Sequence, residues 1–188
     1  MTMQQAPYLT GQFLLAMPGI GDPRFERAVI AICSHDAEGA LGIGLGAMMT
    51  GISFHDVLTQ LGIDPGVAPD RPMHAGGPVE PQRGFILHSR EWEGADTIDV
   101  AGRWALSGTL DILRAIAAGK GPRRWVAALG YAGWGEGQLD GELARHGWFN
   151  VKGDDPLLYE APAGERWERG FGSAGINPRL LANATGNA

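Results

Sequence analysis

Apolar residues in this chain come in short runs divided by glycine and proline, and most runs are too brief for helices. Residues 11–17 read as a buried strand stopped by Pro18-Gly19-Ile20-Gly21. Residues 28–33, β-branched and apolar on both faces, form the clearest strand. After a turn at 36–39, residues 40–45 return as a third strand whose alternating glycines let a neighbour pack closely on one face. Further strands are expected at 84–88, 97–100, 124–129, 148–149 and 157–159. Helical patterns are fewer. Asp22 followed by Pro23 opens a helical turn, capped by the aspartate. Ser53 and Asp56 form a capping box before the stripe Phe54, Val57, Leu58 and Leu61, which Gly62 ends and Pro65 blocks. Ser107 is expected to cap a helix carrying Leu110, Leu113, Ile116 and Ala117, ending at Gly119. Residues 138–145 place Leu139 and Leu143 on one helical face, and 165–171 also read as helix. The echo of Gly62-Ile63-Asp64-Pro65 in Gly175-Ile176-Asn177-Pro178 suggests two similar helix exits. Strands and helices alternate without a βαβ rhythm, so the pattern predicts a mixed α+β fold.

Composition narrows this further. At 188 residues the chain fits one domain over 1–188, with residues 1–8 and 183–188 frayed. Its 30 glycines, against a usual share of about 7%, are scattered among apolar runs and so imply tight turns and close strand packing. The single cysteine, Cys33, excludes an internal disulfide and fits a reducing compartment. The first residues lack Lys and Arg, and no run approaches the roughly 20 apolar residues of a membrane span. A cytoplasmic protein without membrane contact is expected. A net charge of −6 argues against direct nucleic-acid binding, which draws on phosphate neutralisation. The one basic cluster, at 120–125, reads as a solvated turn between helix and strand.

The candidate chemistry centres on a glycine-rich junction at 129–143, where a strand hands over to a helix. It lacks the Lys and Ser/Thr of a phosphate-binding loop and the spacing of a dinucleotide fingerprint, and Glu136 would repel a phosphate. The junction reads as a tight turn holding Tyr131 and Trp134, or as a site for a peptide or small ligand. In the second case Tyr131, Gly133, Trp134 and Gly135 form one wall. The 75–83 loop, with Gly76, Gly77 and Arg83, forms the other, and His88 lies nearby. Arg83 is suited to a carboxylate or phosphate. Other combinations carry less. Cys33 and His35 resemble a nucleophile and base, but Cys33 ends an apolar run and reads as core. His35, His55, His74, His88 and His146 are scattered without metal-ligand spacing, so neither metal nor cofactor is expected. Ser89 lacks a nucleophile-elbow motif. Asp22 with Glu26, and Asp140 with Glu142, read as a cap and a solvated helix face rather than acid–base pairs.

Four segments, in order and at matching spacing, resemble the YqgE/AlgH family of bacterial proteins. They are residues 11–18 with 22–29, then Gly39-Ala40-Leu41-Gly42. Next comes Ala75-Gly76-Gly77-Pro78-Val79 with residues 83–89, and last residues 129–135 with Gly137-Gln138-Leu139. The resemblance covers nearly the whole chain. It implies a bifurcated sheet that includes a small closed barrel surrounded by helices. It implies no catalytic residue or cofactor, although some members carry the label of transcriptional regulator. Where similar proteins continue with Asn, a basic residue and Pro, this chain has Gly46-Ala47-Met48, so a polar anchor is missing there. The reading that follows is a cytoplasmic, non-enzymatic binding or regulatory protein that contacts a protein or small molecule. Two alternatives remain open: a transcriptional regulator acting through DNA or a protein partner, and an enzyme using His88, Arg83 and the glycine-rich junction.

Overall fold

The computed structural model describes residues 8–19, 23–145 and 147–185. In chain order its strands are β1 (Gln12–Ala16), β2 (Val29–Asp36), β3 (Gly39–Gly44), β4 (Met48–Ser53), β5 (Pro72–Ala75), β6 (Val79–His88), β7 (Ile98–Val100), β8 (Trp104–Ser107), β9 (Trp125–Trp134) and β10 (Trp148–Lys152). Its helices are α1 (Phe54–Gln60), α2 (Leu110–Ala117), α3 (Gln138–Ala144), α4 (Arg166–Ser173) and α5 (Pro178–Thr185). The strands pair along the path β10-β1-β2-β3-β9-β6-β8-β7, which curls into an antiparallel half-barrel.

The sheet forks at β9. Along one edge β9 pairs with β6, from Tyr131 opposite Val79 to Trp125 opposite His88. The opposite edge is shared. β5 runs parallel beside Ala128 and Leu129, while β3 runs antiparallel beside Ala132, Gly133 and Trp134. The two partners part at Gly130, where the turn between β5 and β6 crosses β9 backbone against backbone. Gly76 N–H donates to Leu129 O at 2.9 Å, and Gly44 N–H donates to Gly76 O at 2.8 Å. Gly130 has φ +76°, and a methyl there would run into the Gly77 carbonyl oxygen. One on Gly76 would meet the Gly130 oxygen. The glycine-rich pattern therefore buys interchain-like closeness within one sheet.

Both faces of β1 and β2 are covered, which is why their apolar runs are continuous. Phe13, Leu15, Ile43, Trp104 and Phe171 lie in the main core beneath α4. Phe54, Met73, Ile86, Ile112 and Trp125 form a second core with α1 and α2. Leu14, Ile30, Ala132, Trp134, Leu139 and Trp148 form a third beside α3.

Local reading and structure agree at α1, where Ser53 and Asp56 make the full capping box. They agree again at the two helix exits: Ile63 N–H donates to Leu58 O, and Ile176 N–H to Phe171 O, closing the same turn. They part elsewhere. Ser107 is not a cap but the fully buried end of β8, and Thr109 precedes α2. That strand, residues 104–107, carries no clear alternation and is covered on all sides. Starting α2 later turns Leu110 outward and leaves Ile112, Leu113, Ile116 and Ala117 as its buried stripe. Leu61 is exposed at the end of α1. Residues 157–159 belong to a wide helical turn, Pro156–Glu160, held by the Asp154 carboxylate accepting from Leu157 N–H. α5 continues to Thr185 where fraying was expected, and Tyr8 packs edge-on against His35. Asp22, residues 1–7 and residues 186–188 lie outside the described residues.

Gly130→Ala combines a left-handed backbone with a blocked methyl and should cost about 3 kcal/mol or more of stability. Gly137→Ala, with φ +69° but open space around it, should cost only about 1 kcal/mol. Urea unfolding of the two variants measures the difference.

Candidate functional site: a groove at the sheet fork

Where β3 and β5 separate from β9, the sheet leaves a groove of about 380 Å³. Ile30, Gly44, Leu129 and Ala132 contribute to it from the sheet, and Ala75, Gly76, Gly77 and Pro78 from the crossing turn. Phe25, Arg27 and Ala28 also line it, with Gly46 packed against their backbone and Ala47 and Met49 beyond. The groove exists because these positions are small. A methyl on Gly44 would strike the Ala75 oxygen, so β3 can sit against the turn only without one. Arg27 itself has φ +57°, a strained backbone for a residue with a long side chain. Its guanidinium is held by Glu168 at 2.9 Å and lies over the Trp167 ring.

A second cavity, of about 430 Å³, adjoins the first, and Phe25, Pro78 and Ala132 line both. Its walls include Gly133, Trp134, Gln138, Glu142, Arg145 and Trp148. Glu142 Oε2 accepts from the indole N–H of Trp134 at 2.6 Å and of Trp148 at 3.3 Å. The two indoles meet edge-to-face at 6.4 Å, and Phe25 meets Trp148 likewise at 5.7 Å. Glu142 is thus the acceptor that lets two large aromatic rings be buried with their N–H groups satisfied.

The titratable groups deepest in the fold are tied up elsewhere. Arg166 is buried and reaches three carbonyls, those of Leu45, Leu157 and Leu158, as well as His74 Nε2 at 2.7 Å. A guanidinium only donates, so His74 Nε2 accepts and Nδ1 donates to Ala127 O at 3.0 Å. Burial and the adjacent Arg166 charge push the His74 pKa down to about 4. Burial brings Arg166 down to about 10. His88 Nδ1 donates to Ser89 O at 2.7 Å, so Nε2 accepts from the Ser107 hydroxyl at 2.8 Å. Ser107 in turn meets Thr97 Oγ1 at 2.7 Å. The polarity would suit a base acting on a serine, but both side chains are fully buried and line neither cavity. Burial pushes the Cys33 thiol up to about 12, which keeps it protonated and unreactive. His35 accepts from Leu9 N–H and faces Asp140 at 3.3 Å, serving as a bridge.

Tyr131, Gly133 and Trp134 line one open hollow together with Val79 of the 75–83 loop, apart from the groove at the fork. Tyr131 and Trp134 are strand residues three apart, not turn residues, and so lie on opposite faces of β9. Tyr131 packs against Phe85, whereas Trp134 faces Trp148. Gly76 and Gly77 line the first cavity, Gly133 the second, and Gly135 N–H is held by the Gln138 side chain at 3.0 Å. Arg83 does not reach the groove. It stacks over Phe85, donates to Gly108 O, and lies near Glu80 and Asp96. His88 is sealed inside. Asp140 and Glu142, read from sequence as a solvated face, instead contact His35 and the two indoles, because α3 packs onto the sheet. Arg124 of the basic cluster is taken up by Asp155, Glu160 and the Tyr159 ring. Phe25, Ala132, Glu142 and the 46–47 segment were missed. The one sequence signal for them was the spacing of small residues at 42, 44 and 46. His146 lies outside the described residues. Among the described residues, no group of three His, Cys, Asp or Glu could hold a metal ion, and no helix is long and apolar enough to cross a membrane.

This forked half-barrel with its glycine crossing defines a class. The AlgH-like family model matches residues 13–179, and the chain belongs to that family. It is 60% identical over 180 residues to a UPF0301 protein of Rhizorhabdus wittichii, covering 96% of this chain and 97% of that one. It is 56% identical over 186 residues to a UPF0301 protein of Novosphingobium aromaticivorans, covering 99% and 100%. Among solved structures, the AlgH protein of Pseudomonas aeruginosa superposes with TM-score 0.78 at 35% identity, over 96% of each chain. A Corynebacterium diphtheriae protein shares the fold at 19% identity and TM-score 0.75, over 96% of this chain and 94% of that one.

Because folded His74 resists protonation, its contribution to stability is complete above the ordinary histidine pKa of about 6.5 and is lost as the pH falls toward about 4. Between pH 7.5 and 4.5 this should remove up to about 3 kcal/mol. Urea unfolding of wild type and His74→Gln across that range should show a shallower pH slope in the variant.

Proposed function

We propose that the protein is a cytoplasmic binding or regulatory protein without a reaction of its own, and that it takes an apolar group of a protein or small-molecule partner into the groove at the sheet fork. The observation that carries this reading is the groove itself: about 380 Å³ walled by Gly44, Gly46, Ala47, Gly76, Gly77 and Ala132. Concave, mostly apolar clefts of this size are typical binding sites. The strained backbone of Arg27 on its wall, and of Glu80 beside Pro81, supports the same location. Catalysis would need converging polar groups with access to the cleft. The imidazoles of His74 and His88 and the thiol of Cys33 are engaged within the core instead. The regulatory label carried by some members fits contact with a protein partner better than DNA, given a net charge of −6 and the pairing of Arg124.

Ala47 is exposed on the groove edge, so Ala47→Trp fills the groove while leaving the core intact. Native mass spectrometry of protein taken from its own cells should show a bound species that falls at least tenfold in this variant. A ligand present at 100 times its Kd should also add about 2.7 kcal/mol of stability to the wild type alone. An adduct retained unchanged in Ala47→Trp would move the site elsewhere.

A further inference from the structure

The groove at the sheet fork carries main-chain donors as well as apolar surface. Its lining includes Gly46, Ala47 and Gly77, which lie between strands. None of their three N–H groups donates to a described residue, whereas the N–H groups of Gly44, Leu45, Ala75 and Gly76 around them all do. We infer that the groove binds a small uncharged molecule with an apolar body and a carbonyl oxygen, the oxygen accepting from this set of main-chain N–H groups. The inference rests on the groove being the binding site and names the chemistry of its occupant.

The donors belong to two segments held side by side. Ala75 N–H donates to Ala47 O at 2.9 Å and Gly44 N–H to Gly76 O at 2.8 Å, so residues 44–47 run along residues 75–77. Gly46 and Gly77 are half-buried and have no side chain, and Ala47 has only a methyl, so a ligand can reach the main chain itself. A methyl on Gly77 would strike the Tyr131 main chain, which keeps that position bare. Main-chain N–H groups shielded from water need an acceptor, and a ligand oxygen supplies the one the fold does not. Val29, Ile30, Met49, Pro81 and Leu129 make the rest of the lining apolar. At about 380 Å³ the cavity is larger than one side chain and within the range of small-molecule sites. Its charged residues come in both signs, Glu26 and Arg27, and Arg27 is paired with Glu168. The adjoining cavity repeats this balance with Glu142 and Arg145. An ion would give up its hydration without meeting a surplus of opposite charge. A carbonyl gives up less and gains the N–H donors.

The test titrates two sets of isosteric probes into the full-length, isotope-labelled protein and follows its amide NMR spectrum. One set is benzylacetone, isoamylbenzene and hydrocinnamate; the other is hexyl methyl ketone, isononane and heptanoate. Within each set an acetyl group is exchanged for isopropyl or carboxylate on the same body. Both ketones should move the Gly46, Ala47 and Gly77 amide protons downfield and bind about tenfold more tightly than the carboxylates. The hydrocarbons should enter the groove without that downfield shift. Ala47→Pro removes one donor, so ketone affinity should fall about fivefold while hydrocarbon affinity holds. The probe comparison leaves the protein unaltered, so it decides even where the proline variant fails to fold. Carboxylates that bind as tightly as the ketones overturn the assignment of an uncharged ligand. Ketones that move the three amides no more than the hydrocarbons do overturn the acceptor assignment. The groove reading survives that outcome where Ala47→Trp abolishes binding of both. If none of the six probes moves a groove amide, while a native mass adduct is lost in Ala47→Trp, the ligand class alone is overturned. With no such adduct the groove reading falls as well.

Discussion

The structure depends on one contact, the passage of the 76–77 main chain across Gly130 and Tyr131 with no side chain between them. In an ordinary antiparallel sheet each strand edge has one partner. Here one edge of β9 carries two, and the turn linking β5 to β6 must cross at the point where they part. Hydrogen bonds from Gly44 to Gly76 and from Gly76 to Leu129 hold the crossing in place. Close backbone approach of this kind demands glycine on both sides, and it leaves an unfilled wedge beside it. The groove is that wedge. Stability and the shape of the groove are therefore two consequences of the same local packing.

Around the crossing, the fold buries several polar groups and satisfies nearly all of them internally. Arg166 joins the end of β3 to β5 and the Pro156–Glu160 turn, and among the described residues it has no carboxylate partner. His88, Ser107 and Thr97 form a second chain of hydrogen bonds, and Glu142 serves two indoles. Satisfied networks of this type rigidify a core and specify one arrangement of it. Among the described residues, the Tyr159 hydroxyl is the buried side-chain polar atom left without a partner, and burial raises its pKa. The networks also explain why histidine, serine and cysteine, the side chains most easily read as catalytic, do not face the groove. Their polar atoms are consumed in holding secondary-structure elements together. The accessible cleft is left to small, aromatic and main-chain surfaces, which suits recognition.

The relatives place this arrangement within a family whose members share the fold over nearly the whole chain. Sequence identity of 35% with AlgH of Pseudomonas aeruginosa leaves ample room for the groove lining to differ while the forked sheet persists. In this chain Gly46 and Ala47 make one side of the groove apolar and open. The adjoining cavity carries both signs of charge, Glu142 bonded to the two indoles and Arg145 beside it.

Local chemistry alone determined much of the fold. The capping box at Ser53, the glycine exits at Gly62 and Gly175, the apolar runs of β1, β2 and β3, and the class itself follow from short-range steric and hydrogen-bonding rules. Those rules act within a few residues, so a sequence displays them directly. Three other features were decided only in three dimensions. Ser107 became a buried strand residue because β6 and β7 flank it. Tyr131 and Trp134 fell on opposite faces because β9 stays extended through the glycines instead of turning. Glu142, a plain helix-surface residue by spacing, became the acceptor for Trp134 and Trp148 once α3 docked on the sheet. Each depends on partners distant along the chain, or on a backbone course that local patterns leave open. Only the assembled sheet supplies those.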